Sequence, residues 1–287
     1  MRVLITGAFG QLGTSLSSIL NKDYEVIRTG KIVPKNNLGI TLDIQNPVMV
    51  KEVIKATKPD LIINLAAITN VDYCEKYPEL SKEVNIGGLM NLCDSFSGRI
   101  IHLSTDYVFD GNDGPYSEND ATSPLSVYGK TKLASERILL DNNPKHLVLR
   151  GNVLYDNEQN ADASFLSWVL KSLTSNTKIK VVNDQINNPT WTRSMADIIE
   201  LCISKKLDGV FHWGDSDHIS RYEFAKIIAE KFSLDLSLIE PITTSELNQL
   251  ALRPLHSGLK TQKIEEVLNV IPPTLDDCLN KIYNEKE

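Results

Sequence analysis

Most of the features that would assign this chain at a glance are missing from it. Its four cysteines, Cys74, Cys93, Cys202 and Cys278, are scattered and form no Cys-x-x-Cys pair. That argues against a disulfide scaffold or a thiolate metal site and for a reducing compartment. The five histidines show no metal-ligating spacing, so no metal-binding residues are picked out. No apolar run approaches the roughly eighteen residues that a membrane span needs. Blocks of positive charge are absent as well, and the net charge is −7 with a pI near 5.4. The electrostatic footprint of a nucleic-acid binder is therefore lacking. There is no internal repeat and no low-complexity segment. The chain opens directly on a strand pattern, Arg2 to Thr6, with no leader-like stretch ahead of it, so a cytoplasmic location is expected.

What is present is an ordinary globular composition. Of 287 residues 41% are hydrophobic and 23% charged, enough core for one large or two modest domains. Apolar runs of strand length alternate with amphipathic segments. Strands are expected at Val3–Thr6, Glu25–Thr29, Pro59–Ala67, Ile100–Leu103 and Leu147–Arg150, with a short third segment ending at Leu42-Asp43-Ile44. Helices are expected at Thr14–Leu20, Pro47–Ala56, Val84–Phe96 and Thr131–Leu140. Alternation with short connections specifies an α/β fold with a Rossmann-type, doubly wound parallel sheet.

The first strand runs straight into Gly7-Ala8-Phe9-Gly10-Gln11-Leu12-Gly13 and then a helix. Such a turn lets backbone N–H groups approach a pyrophosphate, with the positive end of the helix dipole behind them. The spacing is Gly-x-x-Gly-x-x-Gly, and a tight turn that binds nothing would also use glycines. The second strand ends in Arg28-Thr29-Gly30-Lys31, where a site for NAD usually carries a carboxylate for the ribose 2′-hydroxyl. Cations there suit a 2′-phosphate and favour NADPH over the alternative that Arg28 is a solvated surface charge. Asp43 could face an adenine amine, and small Ala66-Ala67 leave room for a cofactor at the strand's carboxyl edge.

Ile100–Leu103 delivers Ser104 and Thr105 to that same edge, and Tyr128 and Lys132 follow four residues apart. On a helix they share a face. An ammonium there would lower the phenol's pKa toward the working range, and a strand-end hydroxyl, Thr105 or Ser104, would hold a substrate oxygen beside it. Tyr-x-x-x-Lys alone is common on exposed helices.

Together, the glycine trio at Gly7, the pair Ser104-Thr105, and Tyr128 with Lys132 resemble the extended short-chain dehydrogenase/reductase superfamily. Three stretches, Leu65 to Glu75, Ser123 to Leu133 and Asn183 to Trp191, look like the dTDP-4-dehydrorhamnose reductase family. The likeness runs from the first strand to Arg253-Pro254. The resemblance implies NADPH-dependent reduction of the C4 keto group of a nucleotide-linked 4-keto-6-deoxyhexose, with Thr105, Tyr128 and Lys132 catalytic. It puts the cofactor on Gly7, Gly10, Gln11, Leu12, Gly13, Arg28, Asp43, Ile44, Ala66, Ala67, Thr69, Tyr128 and Lys132. It puts the substrate on Val71, Ser104, Thr105, Asn188 and Arg253, and a homodimer is among the assemblies it suggests. Related dehydratases carry Asp-Glu after the threonine. Here Asp106 is followed by Tyr107, which leaves plain ketone reduction. Where the family usually has Ser-Trp, this chain has Asn152-Val153, which bears on the choice of sugar or nucleotide.

Further on, a helix is expected at Phe165–Leu173, a strand at Ile179–Val182, a helix starting near Thr192 and a strand at Gly209–Trp213. Ser220 with Glu223 forms a capping-box pattern for a helix to Phe232, and a last helical region covers Thr261–Leu268. Asn188-Pro189-Thr190 reads either as a loop passing the nucleotide base or as an ordinary Pro-fixed turn. Arg253 reads as a clamp on the pyrophosphate or as a surface arginine. His102 reads as a packed strand residue. The expected division is a cofactor domain of residues 1–151, with 190–213 returning to it, and a smaller α/β substrate domain of 152–189 and 214–287. A second reading has the chain as a non-catalytic, NADP-binding regulatory subunit like the β subunit of methionine adenosyltransferase, which resembles the same family.

Overall fold

In the computed structural model, which describes residues 1–157 and 164–285, strand and helix alternate through the first half. In order come β1 (Arg2–Thr6), α1 (Gln11–Leu20), β2 (Glu25–Gly30), β3 (Ile40–Thr41), α2 (Pro47–Thr57) and β4 (Leu61–Asn64). They are followed by α3 (Val71–Lys76), α4 (Pro78–Lys82), a π-helical turn (Glu83–Gly87), α5 (Gly88–Ser95), β5 (Arg99–Thr105), α6 (Val127–Asn142) and β6 (Leu147–Gly151). The second half has β7 (Leu154–Tyr155), α7 (Phe165–Thr174), β8 (Ile179–Val182), β9 (Ile186–Asn187), β10 (Thr190–Trp191), α8 (Thr192–Ser204) and β11 (Gly209–Trp213). It ends with β12 (Ile219–Ser220), α9 (Arg221–Lys231), β13 (Ile239–Ile242), α10 (Thr244–Leu247), α11 (Gln262–Leu268) and α12 (Leu275–Asn284).

Seven strands form one parallel sheet in the order β11-β6-β5-β4-β1-β2-β3. The chain first winds outward from β1 through β2 to β3, then resumes on β1's other side with β4. That reversal opens a crevice at the carboxyl ends of β1 and β4, the place where open α/β sheets bind ligands. This is the expected Rossmann-type architecture.

Strand alternation sends Val3 and Ile5 to one face, against Leu12 and Leu16 of α1 and Ile198 and Ile199 of α8. Leu4, Ile62 and Ile100 go to the other, against Leu89 and Leu92 of α5 and Leu139 of α6. These side chains are wholly or almost wholly buried, each contributing about 1.5–3 kcal/mol over exposure. Ile264 and Leu268 of α11 pack into the α1–α8 layer. A second core lies between α7, α9 and α12 around β8 and β13.

Among the departures from the sequence pattern, two bear on the packing around the site and the second core. The expected helix Val84–Phe96 is interrupted by the π turn, which turns Asn85 inward. Its Oδ1 accepts from the Ile68 N–H at 2.8 Å, while its Nδ2 donates to the Ile68 carbonyl at 3.2 Å and to Thr131 Oγ1 at 3.0 Å. Such turns recur beside functional sites. The other is α12, which the sequence reading omits. Leu275, Cys278, Leu279 and Ile282 bury its inner face, and Thr274 caps it through the Asp277 N–H at 3.1 Å.

Candidate active site

The glycine turn is built by close backbone approach. Gly7 has φ +66°, and a Cβ there would stand 2.9 Å from the Ala66 nitrogen. A Cβ on Gly13 would stand 2.5 Å from the Gly7 carbonyl oxygen, so α1 lies directly on the turn. Gly10 is different, with only the Gly7 oxygen near, at 3.5 Å, so this position is open. No side chain caps α1 and no acid stands in its first turn. The N–H groups of Gln11, Leu12 and Gly13 therefore have no intrahelical partner, and Gln11 Oε1 is buried without a hydrogen bond. An anion would satisfy this end of the helix.

Arg28 sits beside the turn rather than out in solvent. Its guanidinium lies over the Phe9 ring at 4.6 Å, donates to Asn37 Oδ1 at 3.3 Å and reaches the Ala8 carbonyl at 3.5 Å. Its Nε is buried and unpartnered. Asp43 ion-pairs with Lys31 at 2.7 Å, which neutralises the other cation and leaves Arg28 as the one facing the turn. Ile44 packs against Gly88, where a Cβ would be 2.5 Å from its Cδ1. The Ala66 N–H donates to Thr6 Oγ1 at 3.2 Å. Ala67 is partly buried and Thr69 exposed on the loop that follows.

Thr105 ends β5, and its hydroxyl donates to Asp106 Oδ1 at 3.0 Å and accepts from the Tyr107 N–H at 3.2 Å. Tyr128 lies in the first turn of α6, which Ser126 caps through the Gly129 N–H at 3.2 Å. Gly129 permits the contact between the two segments, since a Cβ on it would stand 2.2 Å from the Tyr107 carbonyl oxygen. Tyr128 meets Tyr107 edge to face with centroids 5.8 Å apart, and its phenol is near enough to the Thr105 side chain for the hydroxyl to act on it. Burial, joined by the Asp106 carboxylate, raises the phenol's pKa; the Thr105 contact opposes this.

The expected lowering by Lys132 is not found. The lysine turns inward, where its Nζ donates to the Leu103 carbonyl at 2.6 Å and lies 3.0 Å from His102 Nε2. Burial brings its pKa down to about 8, with Glu136 acting in the other direction. One helical turn of separation sets what a lysine can reach, and here the rotamer points to β5 and not along the helix.

Two residues expected at the substrate are hydrogen-bonded elsewhere. Ser104, facing oppositely to Thr105 along the strand, donates to Glu136, which also receives Arg150 Nε at 2.9 Å and Nη2 at 2.7 Å. Asn188 is buried; it donates to the Leu259 carbonyl at 3.2 Å, and its Oδ1 receives the Leu259 N–H at 3.0 Å and the Asn152 amide. Its loop fixes the segment near Leu259.

Val71 and Arg253 do meet, in a cleft of ≈ 470 Å³ shared with Tyr107, Gln185, Trp168 and Arg221. Arg253 is nearly buried and pairs with Asp72 at 3.0 Å. Val153, standing where the family usually has tryptophan, lines the same cleft. Sequence reading missed Arg221, which follows the capping serine of α9, and Asp106. That carboxylate is buried against Ser257 and Thr105, and burial lifts its pKa to about 6 against those two hydrogen bonds.

Among the described residues no group of acids, histidines and cysteines is arranged to hold a metal ion, and no helix is long and apolar enough to cross a membrane.

Comparison with known proteins agrees with this fold. The family model described as RmlD substrate binding domain matches residues 1–287. The chain is 35% identical to the dTDP-4-dehydrorhamnose reductase of Aggregatibacter actinomycetemcomitans, over 98% of both chains. It is 32% identical to the methionine adenosyltransferase 2 subunit beta of Rattus norvegicus, over 92% of this chain and 81% of that one. Among solved structures, the dTDP-4-dehydrorhamnose reductase of Clostridium acetobutylicum superposes with TM-score 0.89 at 34% identity, covering 99% of each chain. That of Bacillus anthracis, in complex with NADP, gives 0.91 at 29% identity, again over 99% of each. The chain thus belongs to the RmlD family of the extended short-chain dehydrogenases/reductases, the family of the dTDP-4-dehydrorhamnose reductases.

Proposed function

We propose that this protein is an NADPH-dependent oxidoreductase that reduces the C4 ketone of a nucleotide-linked 4-keto-6-deoxyhexose. The observation that carries the reading is the approach of Thr105 to Tyr128 next to Tyr107, a residue of the cation-lined cleft. Tyr107 joins the two regions, with its ring against Tyr128 and its side chain in the cleft wall. The residues at the turn suit NADPH: uncapped N–H groups of α1 for the pyrophosphate, and Arg28, with its unpartnered Nε, for a 2′-phosphate.

When bound, the reduced nicotinamide supplies a hydride to the carbonyl carbon. The protein supplies the rest. Thr105 holds the carbonyl oxygen, and Tyr128 gives its phenolic proton to that oxygen as it becomes an alkoxide. A phenol whose pKa burial has raised is protonated throughout the physiological range, as a donor in the reducing direction has to be. Lys132, drawn back to His102, is the group that would hold the nicotinamide ribose. Arg221 and Arg253 are the cations for the sugar-nucleotide diphosphate, and Trp168 and Tyr107 its apolar walls. In this division of labour, residues 1–151 with 190–213 serve the cofactor, and 152–189 with 214–287 the substrate, except that α11 packs back on the central sheet. The four unpaired thiols suit a reaction in the cytoplasm.

The test is NADPH oxidation with 4-keto-6-deoxyhexoses carried on dTDP, UDP, GDP and CDP. Turnover with one of them supports the reading. Tight NADPH binding without turnover on any would favour the reading of the chain as a non-catalytic, NADP-binding regulatory subunit.

A further inference from the structure

Beneath the site, a line of buried polar side chains crosses three strands and ends on Lys132. The Ala66 N–H donates to Thr6 Oγ1 at 3.2 Å, and the Thr6 hydroxyl donates to Asn64 Oδ1 at 2.6 Å. Asn64 Nδ2 lies 3.0 Å from His102 Nδ1, and His102 Nε2 lies 3.0 Å from Lys132 Nζ. Each of the four side chains is at most 3% exposed. Thr6 immediately precedes the glycine turn, so the line ties the lysine to the cofactor end of β1.

Donor and acceptor bookkeeping gives this line a direction. Thr6 receives one N–H and gives its own proton to Asn64 Oδ1, so the Asn64 amide must present N–H to His102 Nδ1. A neutral imidazole then keeps its single proton on Nε2, aimed at Lys132 Nζ. A nitrogen that accepts there has a free lone pair, which means an amine. One of its two N–H bonds points to the Leu103 carbonyl, 2.6 Å away. An ammonium at Lys132 needs the reverse arrangement: Nε2 bare, the imidazole proton on Nδ1, and the Asn64 amide turned over so that Oδ1 faces it while Nδ2 donates to Thr6 Oγ1, whose own proton rotates away. One proton enters from solvent in that change, and the imidazole holds one proton before and after.

We propose that His102, oriented by Asn64 and Thr6, is a positioning residue for Lys132 that sets its charge state through the tautomer of its ring. The charged groups bearing on the pair are Glu136, one turn along α6, and Arg150 of β6, which is paired with it. Burial and the neighbouring lysine keep the imidazole from taking a second proton, so the ring responds by tautomer and not by charge. Burial also places the lysine's titration at about 8, where a working enzyme would feel it.

The tautomer is measured on the full-length, ligand-free protein with 15N-labelled histidine, the His102 signals being identified by their loss in His102→Gln. Above the lysine's titration the proton should be on Nε2; below it, on Nδ1. A tautomer that does not change with pH, or an imidazolium at neutral pH, would overturn the proposal. The kinetic arm rests on the reductase reading. In His102→Gln an amide oxygen accepts from the ammonium with no tautomer to change, so the alkaline limb of kcat/KM should move up by about one pH unit, tenfold in proton affinity. His102→Leu should lower kcat about tenfold or more, as loss of an acid–base support does, with His102→Gln recovering most of it. A limb that stays in place in both variants would show that His102 only fills space. If the tautomer shifts with pH and no nucleotide sugar is turned over, the reductase reading fails and the role of His102 toward Lys132 stands.

Discussion

The Glu136–Arg150 pair offers a sharp test of how α6 is held against the sheet. Both side chains are almost fully buried, 3% and 6% exposed, and they join through two parallel contacts at 2.7 and 2.9 Å. Arg150 also lies 3.2 Å from His212 Nε2 and 5.2 Å above the Phe109 ring, and Glu136 receives the Ser104 hydroxyl. Arg150→Met would leave Glu136 as a buried carboxylate with one hydroxyl donor. Removing one member of such a pair costs about 3–5 kcal/mol, whereas replacing both by apolar residues of similar size is close to neutral. A chain of this length has an unfolding entropy of about 0.6 kcal/mol/K, so the single variant should melt about 5–8 °C lower. Glu136→Met/Arg150→Met should recover most of that loss. Thermal unfolding followed by circular dichroism reads both values. A single variant within about 2 °C of the parent, or a double variant less stable than the single, would refute the reasoning.

Two further outcomes follow from the same structure. Arg28→Gln should weaken NADPH binding by about ten- to a hundredfold, the worth of a charge-assisted contact of about 1.5–3 kcal/mol, and leave NADH affinity nearly unchanged; cofactor titration by calorimetry with both nucleotides checks it. Asp106 and Asp215 are raised by burial to about 6 and about 7, above the unfolded value near 3.9. Their contribution is fully present below pH 4 and is lost as pH rises through the folded values. Between pH 5 and 7 it should lower the melting temperature, and Asp215→Asn should flatten that slope.

Much of the fold was readable from local pattern. Val3–Thr6 and Gly7–Gly13 announce a strand, turn and helix because apolar run, glycine spacing and helix formers are all adjacent in the chain. Tyr128 and Thr105 were readable for a similar reason, each standing in a distinctive short segment. What escaped depends on orientation and on contacts between distant residues. Ser104 and Thr105 are neighbours, yet a strand sends them to opposite faces, so only one can face Tyr128 while the other meets Glu136, 32 residues on. The inward rotamer of Lys132 depends on His102 and the Leu103 carbonyl, which helical spacing does not reveal. Arg221 reaches the cleft only because β9 and β12 pair and set the start of α9 beside it. The omission of α12 has another origin: Thr274, Asp277 and the apolar spacing from Leu275 to Ile282 were present in the sequence as a helix signal.

The central claim is that Tyr128 delivers the proton in an NADPH-dependent ketone reduction. Its most direct test compares the protein with Tyr128→Phe, measuring NADPH affinity and NADPH oxidation with the sugar nucleotide that supports turnover. The account predicts unchanged cofactor affinity and a fall in kcat of about a hundredfold or more, the contribution of a positioned general acid. A phenylalanine variant that turned over at the parent rate would contradict it.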